Sequence, residues 1–115
     1  MSLSRDLFLG FVRVHILYHA GQGPVYGLWL IDELARHGYK LSAGSLYPIL
    51  HRLEEDGLLA GEKQIVAGKA RKCYRLTPAG REALHQARAQ ALALLDEIRD
   101  APIDATEPTV IRFER

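Results

Sequence analysis

Three sets of side chains in this 115-residue chain have the types and spacing to do chemistry, and the largest lies between Lys40 and Arg75. There Lys40, Arg52, Lys63, Lys69, Arg71, Lys72 and Arg75 stand against Glu54, Glu55, Asp56 and Glu62. Residues 1–39 balance three cations with three anions and residues 76–115 carry five against seven, so the net charge of +1 conceals a basic middle third. Concentrated positive charge suits contact with phosphate, whereas a scattered surface charge would be an ordinary solvated face. The second set is His15 and His19, four residues apart on a helical pattern, a spacing able to hold a metal. Sequence places no third ligand beside them, so they read as partly buried histidines next to Phe8 and Val12, and no metal is expected. The third is Cys73, the lone cysteine, which excludes an intrachain disulfide and favours a reducing compartment. Arg71 and Arg75 on its strand face would favour a reactive thiol, but a passive hairpin residue is the better reading. No glycine-rich phosphate loop, metal set or nucleophile with a base marks an enzyme, and no cofactor is expected.

These residues need a scaffold, and the hydrophobic pattern supplies one. A first helix starts at Ser4 or Asp6 and reaches His19, with one apolar stripe of Leu7, Phe11, Val14 and Tyr18 and another of Leu9, Val12 and Ile16. A helix apolar on two faces must be buried twice, so Leu9, Val12 and Ile16 are assigned to a partner subunit. Gly21, Gly23 and Pro24 break the pattern. A second helix then runs from Tyr26 to His37, with a core stripe of Gly27, Leu30, Ile31, Leu34 and Ala35 and Gly38 as its stop. The third helix begins at Ser42 or Ser45 and ends at Asp56 before Gly57. A Ser45 cap places Pro48 in the first turn, and a Ser42 cap places it in the interior. Residues 58–66 and 71–77 read as strands joined by the turn Ala67-Gly68-Lys69-Ala70, with Cys73 and Arg75 on a wet side opposite Tyr74 and Leu76.

Thr77-Pro78 is a strong helix start, a hydroxyl cap followed by proline at the first helical position. The fourth helix runs to Arg99, and Leu84, Ala87, Ala91, Leu94 and Ile98 repeat at the three-four spacing of a coiled-coil seam. The expected fold is therefore α+β, mainly helical with a small β-wing: a winged helix-turn-helix over residues 1–77, a dimerisation helix over 78–100 and an irregular tail over 101–115. Within the tail, Thr109 to Phe113 have the composition of a short strand.

On the third helix Leu46, Ile49, Leu50 and Leu53 share the buried face, while Gly44, Tyr47, Pro48, His51 and Arg52 fall on or beside the other. That opposite face is expected to enter the major groove of double-stranded DNA, with Tyr47, His51 and Arg52 reaching base edges. The amides near Ser42, Gly44 and Ser45 suit a phosphate at the helix N-terminus, and Tyr26, Lys40, Lys63, Lys69, Arg71 and Lys72 are assigned to the backbone. A protein-interaction module using the same helix is the competing reading.

Ser45-Leu46-Tyr47-Pro48, Ile49-Leu50-His51-Arg52-Leu53-Glu54, Gly57-Leu58-Leu59 and Arg71-Lys72-Cys73-Tyr74-Arg75-Leu76-Thr77-Pro78-Ala79-Gly80 together resemble the PadR family of bacterial transcriptional regulators, as does Tyr26-Gly27. The resemblance spans about residues 7 to 98. It implies a homodimeric repressor on an inverted-repeat operator, with a single C-terminal helix and release by a small-molecule effector. Cys73 stands where the family commonly has a second tyrosine after the basic pair, which raises a redox-responsive alternative. Trp29 lies away from its helix's core stripe and is assigned to packing beneath the C-terminal helix, with an effector pocket as the other use. The absence of a leader or a long apolar run predicts a cytoplasmic protein without membrane contact.

Overall fold

A computed structural model describes residues 2–100. The element order is α1 (Leu3–Gln22), β1 (Val25–Tyr26), α2 (Gly27–Arg36), α3 (Ala43–Glu55), β2 (Leu59–Val66), β3 (Lys69–Leu76) and α4 (Pro78–Arg99). The strands form one antiparallel sheet in the order β1-β3-β2. The expected tail and its strand at Thr109–Phe113 lie outside the described residues. No described helix is long and apolar enough to cross a membrane.

The first helix starts earlier than Ser4, because the Ser2 hydroxyl accepts the Arg5 backbone N–H at 3.2 Å and so satisfies one of the free donors of the first turn. It also continues through Gly21, and Gly23 and Pro24 end it. Its two stripes take the opposite roles to those expected. Val12 and Ile16, assigned to a partner, are 0% exposed in the chain's own core, joined there by Leu17 and Ala20, while Leu9 is half-buried. Leu7, Phe11 and Tyr18 face outward instead. Spacing identified both stripes, but α2 and the sheet determine which is covered.

In α2, Gly27, Leu30 and Leu34 are buried and Ile31 is partly so, but Ala35, expected in the core, is exposed. The helix closes where Gly38 takes φ +90° and the Tyr39 N–H bonds back to the Leu34 carbonyl at 2.8 Å. For α3 the structure selects Ser42 as the cap, since its side chain accepts from the Ser45 N–H at 3.2 Å. Pro48 is therefore interior and leaves the Gly44 carbonyl without its usual donor. Leu46, Leu50 and Leu53 are buried beneath it.

The hairpin is longer than its composition suggested. Lys69 and Ala70 belong to β3, where they pair with Val66 and Ile65, so the turn is Ala67-Gly68 alone. Both turn residues have positive φ, +52° and +80°, the backbone hand that suits the twist of a two-residue hairpin. Val25 and Tyr26 pair with Tyr74 and Cys73, which places β3 in the middle of three strands. That third strand corrects the expectation of a wet face at Cys73. The thiol side chain is 2% exposed and Tyr74 beside it 3%.

Thr77 caps α4 as expected, accepting the Gly80 N–H at 2.9 Å and donating to the Gly57 carbonyl. The described residues divide into two compact units between His85 and Gln86. Ala83 and Leu84 pack against the core of the first, so Leu84 serves its own chain rather than the outward seam proposed for it. In the second unit Ala87 is half-buried, and Ala91, Leu92, Leu94, Leu95 and Ile98 are exposed on α4.

Candidate nucleic-acid interface

The outer side of α3 consists of short or rigid residues at its start and polar ones further along. Ser42, Gly44, Ser45, Tyr47, Pro48, His51 and Arg52 are all exposed. Tyr47 is aimed by α2: its hydroxyl sits where Gly27 has no Cβ, and any larger residue there would collide with the ring. Arg52 extends along the helix to Asp56, Nε to Oδ1 3.3 Å, an exposed pair that holds the side chain only loosely. Around the N-terminus of α3, Ser2, Ser4, Arg5, Phe8, Lys40, Leu41, Ser42 and Ser45 line an open depression of about 460 Å³. A phosphate there would meet the positive end of the helix and two cations. Arg5 is a member that sequence reasoning missed, because nothing in its local pattern reveals that α1 begins beside the start of α3.

The basic residues of the hairpin divide over two faces, because strand side chains alternate. Lys63 and Lys72 are cross-strand partners on one face, while Lys69, Arg71, Cys73 and Arg75 project to the other. Their partners also differ. Lys72 Nζ lies 2.9 Å from Glu54 Oε1, through a gap kept open by Gly61, where a Cβ would strike both side chains. The Lys72 hydrogen bond holds the Glu54 carboxyl below its ordinary value, and the same bond raises the Lys72 ammonium. The Arg71 guanidinium lies over the Tyr26 ring, 4.8 Å from its centroid, and Arg75 approaches Glu62 at 3.7 Å. Tyr26 is thus half-buried under a cation. Lys40, Lys63 and Lys69 are exposed, and no carboxylate of the described residues lies within ion-pair distance of them. At the tip Ile65 is 73% exposed.

Three other residues acquire surroundings that spacing alone did not reveal. His15 on α1 stacks with His37 at the C-terminal cap of α2, ring centroids 5.3 Å apart, His19 lies tilted to the same ring at 6.2 Å, and burial lowers the pKa of both α1 histidines below the ordinary value. Glu33 joins them, its carboxyl held below the ordinary value chiefly by its hydrogen bond to His37. Trp29 stands with its edge to His19 at 5.5 Å and lines an open depression of about 360 Å³ with Gln22, Gly23, Pro24, Val25 and Tyr26.

Three helices followed by a hairpin, with the third helix exposed along one side, define a winged helix-turn-helix protein. Comparison with known proteins agrees. The model of the PadR-like family of transcriptional regulators matches residues 16–86, and the chain belongs to that family. The transcriptional regulator Rv3488 of Mycobacterium tuberculosis is 55% identical over 87 residues, covering 76% of this chain and 81% of that protein. Among solved structures, a PadR family transcriptional regulator from Eggerthella lenta superposes with TM-score 0.71 at 36% identity, covering 84% of this chain and 85% of the other. A PadR-like regulator from Bacillus cereus gives TM-score 0.71 at 30% identity over 83% and 97% of the two chains.

Proposed function

We propose that this transcriptional regulator acts as a homodimeric repressor that binds an inverted repeat in double-stranded DNA and leaves it when a small-molecule effector binds. The observation that carries the DNA reading is the joining of α3's exposed face to a hairpin whose Lys63 and Lys69 have no carboxylate within ion-pair distance among the described residues. In this reading Tyr47, His51 and Arg52 enter the major groove, and Lys40, Lys63 and Lys69 with Arg5 hold phosphates. The support for dimerisation is apolar surface left in water. Ala91, Leu94 and Ile98 continue the seam along α4, with Leu92 and Leu95 beside them, and Leu7, Phe11 and Tyr18 form a second outward stripe on α1. Burial of Cys73 disfavours the redox-responsive alternative, since a reactive thiol must be reached by its oxidant.

The test is binding to the region upstream of the protein's own gene, read by footprinting and by fluorescence anisotropy across a salt series. A protected inverted repeat, with a steep fall in affinity as salt rises, is the expected result. Arg52→Ala should relax preference at one base pair of each half-site by about 1–3 kcal/mol while leaving binding to random DNA nearly unchanged. Equal loss on all DNA would move Arg52 from the bases to the backbone. Absence of binding even at low salt would turn α3 into a protein-docking helix.

A further inference from the structure

Four side chains at the junction of α1 and α2 have no part in the proposed DNA contacts. His15 and His19 lie one turn apart on α1, and Glu33 of α2 lies four residues before His37, the residue that caps the C-terminus of that helix. Glu33 Oε2 is 3.0 Å from His37 Nε2 and 3.8 Å from His19 Nε2, and one ligand atom from each of the three residues falls within 4.8 Å of the others. His19 Nε2 is buried and has no hydrogen-bond partner among the described residues, an arrangement that costs free energy unless something else meets the nitrogen. The ring cannot easily turn away. It is stacked on His15, with Tyr18 and Trp29 set edge-on against it at 5.1 and 5.5 Å.

We infer that His19, Glu33 and His37 form a binding site for a divalent transition-metal ion of the zinc type. Two imidazole nitrogens and a carboxylate are the donor set of such ions, whereas calcium and magnesium call for oxygen alone. Bonds of about 2.0–2.1 Å at tetrahedral angles separate neighbouring ligand atoms by about 3.3 Å. The separations of 3.0 and 3.8 Å to Glu33 Oε2 bracket that value. His37, 47% exposed, has room to rotate inward and close the remaining gap. Three protein ligands leave a fourth position for water or an exogenous ligand. Arg36 lies 3.8 Å from the other Glu33 oxygen, Oε1, which leaves Oε2 facing the histidines. An ion at this point would tie α1 to α2.

The test uses tag-free full-length protein in chelator-treated buffer, titrated with Zn²⁺ in a calorimeter and with Co²⁺ while absorption and tryptophan emission are followed. One ion per chain is expected, with a tetrahedral Co²⁺ spectrum and quenching of Trp29, the lone tryptophan. His37→Ala and Glu33→Gln should each weaken Zn²⁺ binding at least about tenfold. Asp32→Asn, an exposed change on the same helix outside the cluster, should leave it unchanged. Circular dichroism of each variant shows whether the fold is kept, and exposure of His37 makes its replacement the safer one. Lack of Zn²⁺ binding would overturn the proposal, as would binding and quenching that survive both ligand substitutions. No DNA enters the measurement, so its failure leaves the DNA reading untouched.

Discussion

The two ends of the β2–β3 hairpin are built from similar residues and behave as different materials. Its base is walled in: Leu59, Cys73, Tyr74 and Leu76 are buried and β1 pairs along one side, while midway along the hairpin Lys72 is bound to Glu54 of α3. Towards its tip Ile65 and Lys69 are exposed, as is Lys63 midway along β2. The difference shows that a run of basic residues is not one electrostatic object. Lys72, Arg71 and Arg75 are committed to a carboxylate or an aromatic ring, whereas Lys63, directly across from Lys72, and Lys69 beside the turn have no carboxylate within ion-pair distance among the described residues and remain available to an incoming polyanion.

The largest expected contrast is in stability. Leu59→Ala removes a fully packed side chain at the base and should cost about 2–5 kcal/mol, whereas Ile65→Ala at the tip should stay within about 0.5 kcal/mol. Urea unfolding of the two variants checks this, and equal effects would abolish the distinction. Next in size is DNA affinity. Lys63→Ala and Lys69→Ala should each lower the slope of log affinity against log salt by about one, because each lost phosphate contact releases one counterion fewer. Lys72→Ala should change the slope less, since its ammonium already faces Glu54. If Lys72 produced the larger change, Glu54 would have to give up its lysine when DNA arrives.

The smallest effects concern Glu54 itself. Glu54→Gln should free Lys72, strengthen binding to all DNA modestly and reduce stability by no more than about 1 kcal/mol, the range of an exposed pair. The same substitution tests the pH dependence. The folded carboxyl is held below its ordinary value of 4.5 by Lys72, so its stabilising contribution is present above that value. It is lost as pH falls through the lower, folded value. Melting curves from pH 6 to about pH 3 should therefore fall slightly less steeply for Glu54→Gln than for the parent chain.

The local signals in the sequence proved sound where one stretch of chain was sufficient. Thr77-Pro78 starts α4, Gly57 closes α3 in the left-handed region, and Leu46, Leu50 and Leu53 face inward. The exposed polar face of the candidate interface was legible for the same reason, because one helix carries Tyr47, His51 and Arg52. Val25-Tyr26 escaped notice since two residues show no periodicity, yet they turn Cys73 from a wet residue into a core one. Glu33 and His37 could not be joined to His19 by spacing, as they belong to another helix and its C-terminal cap.

By itself, then, the sequence determined the order of the elements, the caps between them, the outward side of α3 and the local excess of positive charge. These follow from periodicity and capping, which act over a few residues. Tertiary structure alone decided which stripe of α1 is core, which cations already have partners, and that three metal-competent side chains from two helices share one place. Such outcomes depend on contacts between segments remote in sequence, where burial and pairing are set by whatever the fold brings alongside.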